Sequence, residues 1–106
     1  MWMVDPAFMC SKHLCGEHGE IHKHRHNFVK GHSIAGRKGQ IEPEAMKRRH
    51  DELVMFLKNH KSPYEQPDLS EYNLDGFTVD IDESLDELRK RCSECREKID
   101  KIGMVT

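Results

Sequence analysis

The stretch SLDELRKRCSECREKIDKI, residues 84–102, decides the fold class of this chain of 106 residues. Its apolar and thiol side chains recur at intervals of three and four residues, which is the spacing of one face of an α-helix. These positions are Leu85, Leu88, Cys92, Cys95, Ile99 and Ile102. Ser84 and Glu87 have the spacing of a capping box, so we predict one helix from Ser84 to about Ile102 that docks through its apolar seam.

Two further helices are predicted upstream. The first follows the start signal Asp5-Pro6 and carries core, thiol, imidazole and carboxylate side chains on one face. That face comprises Cys10, His13, Leu14, Glu17, Glu20, Ile21, His24 and Phe28. The second helix is predicted from Pro43 to about Asn59.

The segment FTVDI, residues 77–81, alternates like a strand but has no partner, so we interpret it as extended coil. The predicted fold is therefore a single α-helical domain over residues 1–106. It is a compact bundle of about three main helices, with a long ordered loop between the second and the third.

Charge is segregated along the chain. Residues 10–50 hold nine Lys/Arg against four Asp/Glu, whereas residues 51–106 hold eight against fourteen. The basic half predicts a surface that faces phosphates, and a solvated charged face is the alternative. Because the chain has neither an apolar run of membrane length nor a secretory leader, we expect no membrane contact and a cytoplasmic location.

Four cysteines in a cytoplasmic protein are expected to be reduced, which leaves burial as small hydrophobes or metal binding. The candidate ligands of a structural zinc ion are Cys10, His13, Cys92 and Cys95. Against zinc, Cys92 and Cys95 are predicted in mid-helix, whereas zinc-binding pairs usually lie on turns. Both interpretations of the cysteines stay open.

Six of the eight histidines lie between residues 13 and 32. Side chains two residues apart on a helix point to nearly opposite sides, so this run is not expected to form one metal cage. Only pairs such as His18 with His22, or His22 with His26, can share an ion. We expect most of these histidines to be exposed to solvent or in contact with phosphate.

Glu17 and Glu20 lie three residues apart on the same helix face as Cys10 and His13. A carboxylate among apolar and cationic neighbours has a tunable pKa and can act as a general base or stabilise a developing cation. The alternative is that both glutamates are ordinary surface residues.

The opening WMVDPAFMCSKHLCGEHGEIH, residues 2–22, resembles the start of the small phage and bacterial pyrimidine-dimer DNA glycosylases. RHDELV at 49–54 and HKSP at 60–63 are similar to signatures of the short members of that group. The resemblance implies an α-helical enzyme that needs no cofactor. The α-amine of residue 1 would attack the sugar C1′ of a damaged nucleotide to form a Schiff base, with Glu20 as the assisting carboxylate.

The chain departs from the family pattern at three positions, one of which is the extreme N-terminus, where it lacks an arginine. Arginines that grip the DNA strand are replaced by Gly19 and Lys23, and the bulky Trp2 predicts that Met1 is retained as the amine nucleophile. The chain keeps other candidate contacts to double-stranded DNA, which are Lys23, Arg25, Lys30, Arg37, Lys38 and His13.

Three functions follow as hypotheses. The first is a phage-type glycosylase-like protein that engages DNA in the host cytoplasm, with Met1 and Glu20 as catalytic residues. The second is a catalytically silent early phage protein that binds a host or phage protein partner on the same scaffold. The third is a small zinc-stabilised module.

Overall fold

A computed structural model of the chain describes residues 1–57 and 63–103. The described residues form four α-helices, and no strand, which confirms the mostly α-helical bundle. The helices are α1 (Ser11–Val29), α2 (Met46–Phe56), α3 (Ile81–Arg91) and α4 (Ser93–Gly103). Short 3₁₀ turns occur at Pro6–Phe8, Ala35–Arg37 and Pro43–Ala45.

The start signal at Asp5-Pro6 opens a 3₁₀ turn instead of the first long helix. The Asp5 carboxylate accepts a hydrogen bond from the Ala7 backbone N–H at 2.9 Å, as predicted for a capping residue. The chain is then extended at Cys10, with φ −76° and ψ 163°, and α1 begins at Ser11. Cys10 therefore occupies the cap position of α1.

The prediction of one continuous C-terminal helix is wrong. The backbone at Cys92 is extended, with φ −135° and ψ 114°, and this residue separates α3 from α4. The capping box at Ser84 is also wrong, because the Asp80 carboxylate accepts from the Glu83 N–H at 3.1 Å and starts α3 at Ile81. The predicted seam is used on both sides of the break, because Leu88, Cys95 and Ile99 are buried. Its last member, Ile102, is exposed.

The core lies where α1 packs against α2, and where α4 packs against the Pro6–Phe8 turn. Ile21, Leu53, Leu88 and Cys95 are fully buried there. Residues 77–80 belong to no helix or strand and Asp80 is extended, which confirms the interpretation as coil for these four residues, whereas Ile81 begins α3. The predicted end of the second helix at Asn59 lies outside the described residues.

Within the described ranges, no helix combines the length and apolar character needed to cross a bilayer.

Candidate functional site

The amine of Met1 meets the carboxylate of Glu20. The amine donates a hydrogen bond to Glu20 Oε2 at 3.3 Å and another to the Gln40 carbonyl oxygen at 2.8 Å. The side chain of Met1 is buried, whereas that of Glu20 is 50% exposed. The two residues predicted as a catalytic pair are thus in direct contact in the folded chain.

The N-terminal segment is held in place from both sides. The Met1 thioether sulfur accepts a hydrogen bond from the Glu42 backbone N–H at 3.5 Å. Met3 has φ 60°, a left-handed conformation that costs a residue with a side chain on the order of 1 kcal/mol. Val4, directly after this turn, is buried. Packing of the neighbouring residues therefore sustains a turn that places the amine beside α1.

A pocket of about 620 Å³ opens at the amine, which is within the usual size range for small-ligand sites. Lys23 of α1 and Arg37 of the loop after it give the pocket its basic wall. A second wall comes from α3 and the residues directly before it. Its charged residues are Asp80, Glu83, Glu87 and Arg91.

His24 lies in the same pocket and is uncharged at neutral pH. Burial, together with the smaller effects of the positive charges of the N-terminus, Arg37 and Lys23, lowers the pKa of His24 to about 4. The positive potential on this wall therefore comes from Lys23, Arg37 and the amine.

The predicted DNA contacts are distributed over the molecule. Lys23 and Arg37 line the pocket, whereas Arg25 donates to the Glu65 carbonyl oxygen at 2.6 Å. Lys30 and Lys38 border two other depressions on the surface. The last candidate, His13, lies instead among the cysteines.

The four residues predicted as zinc ligands converge on one point. Cys10 Sγ lies 3.1 Å from His13 Nδ1 and 3.8 Å from Cys92 Sγ, and Cys95 Sγ lies 3.5 Å from His13 Nδ1. All four ligand atoms are within 4.8 Å of one another. Cys15 is exposed and outside this cluster.

The break between α3 and α4 removes the argument that Cys92 and Cys95 lie in mid-helix. Cys92 precedes α4 and Cys95 falls in its first turn, just as Cys10 precedes α1 and His13 falls in the first turn there. Backbone N–H groups point at the sulfurs: Cys10 N donates to Cys95 Sγ at 3.3 Å, and Cys95 N to Cys92 Sγ at 3.5 Å. The N–H donated by Cys95 lowers the pKa of the Cys92 thiol, whereas burial raises the pKa of Cys95 to about 12.

The spacing of this cluster fits a tetrahedral ion. With zinc–sulfur bonds of about 2.3 Å and zinc–nitrogen bonds of about 2.0 Å, tetrahedral edges are about 3.8 Å between sulfurs and about 3.5 Å between sulfur and nitrogen. The Cys10–Cys92 and Cys95–His13 separations, 3.8 and 3.5 Å, match these values, whereas Cys10 and His13, at 3.1 Å, are closer than the sulfur–nitrogen edge. The cluster is therefore a possible Cys₃His metal site.

The helix face that carries Glu17 is buried. Glu17 is completely buried and forms a two-pronged ion pair with Arg49 of α2, at 2.6 Å to Nε and 2.9 Å to Nη2. The alternative that both glutamates are surface residues therefore holds only for Glu20.

The expectation that the histidines of α1 are mostly exposed is wrong for His18, which is buried, and His22 is partly buried. Both rings meet His50 of α2. His50 shares a helix face with the core residues Met46 and Leu53, and this spacing was the available signal in the sequence.

Comparison with known proteins gives no match: no family model, no curated protein and no solved structure matches this chain.

Proposed function

We propose that this protein is a DNA glycosylase whose nucleophile is the amine of Met1 and whose assisting carboxylate is Glu20. The observation that carries this proposal is the 3.3 Å contact between the amine and Glu20 Oε2 in a pocket with a basic wall. An amine and a carboxylate in this arrangement are what the resemblance to the pyrimidine-dimer glycosylases implies.

The chemistry uses only groups in the pocket. Once unprotonated, the amine nitrogen bonds to the sugar C1′, the damaged base leaves as the C1′–N bond breaks, and the sugar ring opens to a Schiff base. Glu20 stabilises the positive charge that develops on the sugar and transfers the protons of ring opening and strand cleavage.

The charges of the pocket walls favour a nucleotide. Lys23 and Arg37 supply contacts to backbone phosphates, and Arg37 offers a cation to compensate for the arginine that Gly19 replaces. Glu83 on the second wall can accept a hydrogen bond from the N–H edge of an extruded pyrimidine. Double-stranded DNA is thus the proposed partner. The proposed location is the cytoplasm, which is that of the host cell if the chain is phage-encoded.

We further propose that Cys10, His13, Cys92 and Cys95 bind a structural zinc ion. Four protein ligands close such a site, so the ion would join the start of α1 to the turn between α3 and α4 and take no part in the glycosylase chemistry. The His13 ring contacts Trp2, with ring centroids 5.7 Å apart. Zinc would therefore also support the segment that carries the amine.

Reductive trapping tests the glycosylase proposal. The protein is mixed with ultraviolet-irradiated or unirradiated duplex DNA and a borohydride, which reduces a Schiff base to a stable amine. We expect a covalent adduct only with irradiated DNA, and its loss in Glu20→Gln. Glu44→Gln, an exposed glutamate outside this pocket, is the matched control and should be trapped normally.

Absence of an adduct with irradiated DNA would refute the glycosylase proposal. Retained binding to duplex DNA without an adduct would favour the catalytically silent alternative on the same scaffold.

A further inference from the structure

A second group of ligand atoms lies on the opposite side of α1 from Glu20. One ring nitrogen of each of three histidines, His18, His22 and His50, lies within 4.8 Å of the other two. His18 and His22 are each two residues from Glu20 along the helix, hence roughly 200° around its axis. This histidine cluster is therefore separate from the amine pocket.

We propose that the histidine cluster binds a first-row divalent cation such as Zn²⁺ and thereby clamps α1 to α2. The closest atoms are His18 Nε2 and His22 Nε2, 3.2 Å apart. Two nitrogens bound to one tetrahedral zinc ion at about 2.0 Å lie about 3.3 Å apart, so the observed separation fits a shared ion. Imidazole nitrogens favour zinc, copper, nickel and iron over magnesium or calcium.

The third ligand is oriented by a carboxylate. His50 Nδ1 lies 3.0 Å from Asp51 Oδ1, and a carboxylate at that distance accepts the Nδ1 proton. The tautomer that results has a lone pair on Nε2, the nitrogen on the other side of the ring. A carboxylate behind a ligating histidine is a common feature of zinc sites, because it fixes the ring and raises the basicity of the ligand.

Tyr64 covers the cluster. Its ring stacks on that of His50 with centroids 5.1 Å apart and meets His22 edge-on at 5.7 Å. The Tyr64 hydroxyl is buried and has no hydrogen-bond partner among the described residues. Three histidines leave one position of a tetrahedral ion open, and a water molecule in that position would give this hydroxyl a partner.

Metal content measured on matched variants tests this proposal. The protein is equilibrated with Zn²⁺, freed of unbound metal, and analysed for zinc per chain. A second sample is loaded with Co²⁺ in place of Zn²⁺, because thiolate ligands to Co²⁺ give an intense charge-transfer absorption that identifies the ligand type. We expect about two ions in the wild type, one at each cluster. His22→Asn should lose one ion and keep the thiolate–cobalt absorption, whereas Cys92→Ser should lose that absorption and keep the other ion.

His26→Asn is the control, because His26 is exposed on the same helix and lies outside the cluster. His22 is preferred to the buried His50 for the test variant since its substitution disturbs less packing, and circular dichroism verifies that the helices are retained. The proposal is overturned if the wild type binds at most one ion per chain and Cys92→Ser binds none. Equal loss of zinc in His26→Asn and His22→Asn would overturn it as well, because that would indicate adventitious binding to surface histidines.

Discussion

The ion pair between Glu17 and Arg49 is the residue-scale feature on which the joint between α1 and α2 depends. Arg49 is 2% exposed, and its Nη2 also lies 3.4 Å from the Met9 sulfur. A buried charge is tolerated only when it is paired, and here both carboxylate oxygens are used. The sequence predicted the helix face on which Glu17 lies but not its partner. The sequence of two separate helices does not show which charged residue of one lies opposite a given residue of the other.

We predict that Glu17→Gln lowers the free energy of unfolding by about 3–5 kcal/mol, because it leaves the Arg49 guanidinium buried without a counter-charge. The double variant Glu17→Leu/Arg49→Met should be more stable than Glu17→Gln, since it removes both charges and keeps apolar volume. Urea denaturation of the variants measures this. A loss below about 1 kcal/mol in Glu17→Gln would be typical of an exposed pair and would contradict the buried geometry.

The lowered pKa of His24 predicts a pH dependence of stability. The pKa is about 4 in the folded chain against 6.5 for the free side chain. Protonation of His24 is therefore less favourable in the folded chain than in the unfolded chain. The contribution of neutral His24 to the free energy of unfolding is complete above about pH 6.5 and is lost as the pH falls towards 4. The melting temperature should fall more between about pH 7 and about pH 5 in the wild type than in His24→Gln. An equal fall in both proteins would contradict the assigned environment of His24.

At the scale of elements, the sequence predicted the helical segments better than their ends. The apolar spacing of residues 84–102 is continuous through Cys92, so it contained no signal for the break between α3 and α4. The signal for the break was the Cys-x-x-Cys spacing. The Cys92 sulfur accepts from the Cys95 N–H at the start of α4, as a capping side chain does at the start of a helix. The four candidate metal ligands predicted from the sequence do lie together, but their placement at two helix starts was not predicted.

Zinc removal is predicted to loosen the junction between α1 and α4. A strong chelator should lower the melting temperature of the wild type and of Cys15→Ser, whose thiol is exposed and outside the cluster. It should lower the melting temperature of Cys92→Ser by less, because only the ion proposed for the histidine cluster remains to be removed there. Thermal denaturation followed by circular dichroism measures these shifts. A chelator effect that persists unchanged in Cys92→Ser would contradict a structural ion at this cluster.

At the scale of the molecule, the fold brings cations of the first half of the chain and carboxylates of the second half into the lining of one pocket. The charge segregation was visible in the sequence, but the way in which α3 and α1 come to line one pocket depends on long-range packing. The contact between Met1 and Glu20 was predicted only through the resemblance, because no local pattern relates residues 19 positions apart across a loop of the chain. The histidine cluster was missed since its third member lies on a different helix.

The measurement that tests the central claim most directly is the position of the sugar in the trapped adduct. Lys23 is the rival nucleophile, because its amine lines the same pocket. After borohydride reduction and nuclease digestion, mass spectrometry of the proteolytic peptides should find the sugar remnant on the α-amine of Met1, with Lys23 unmodified. A remnant on Lys23, or on no residue of the pocket, would contradict the proposal that the N-terminal amine is the nucleophile.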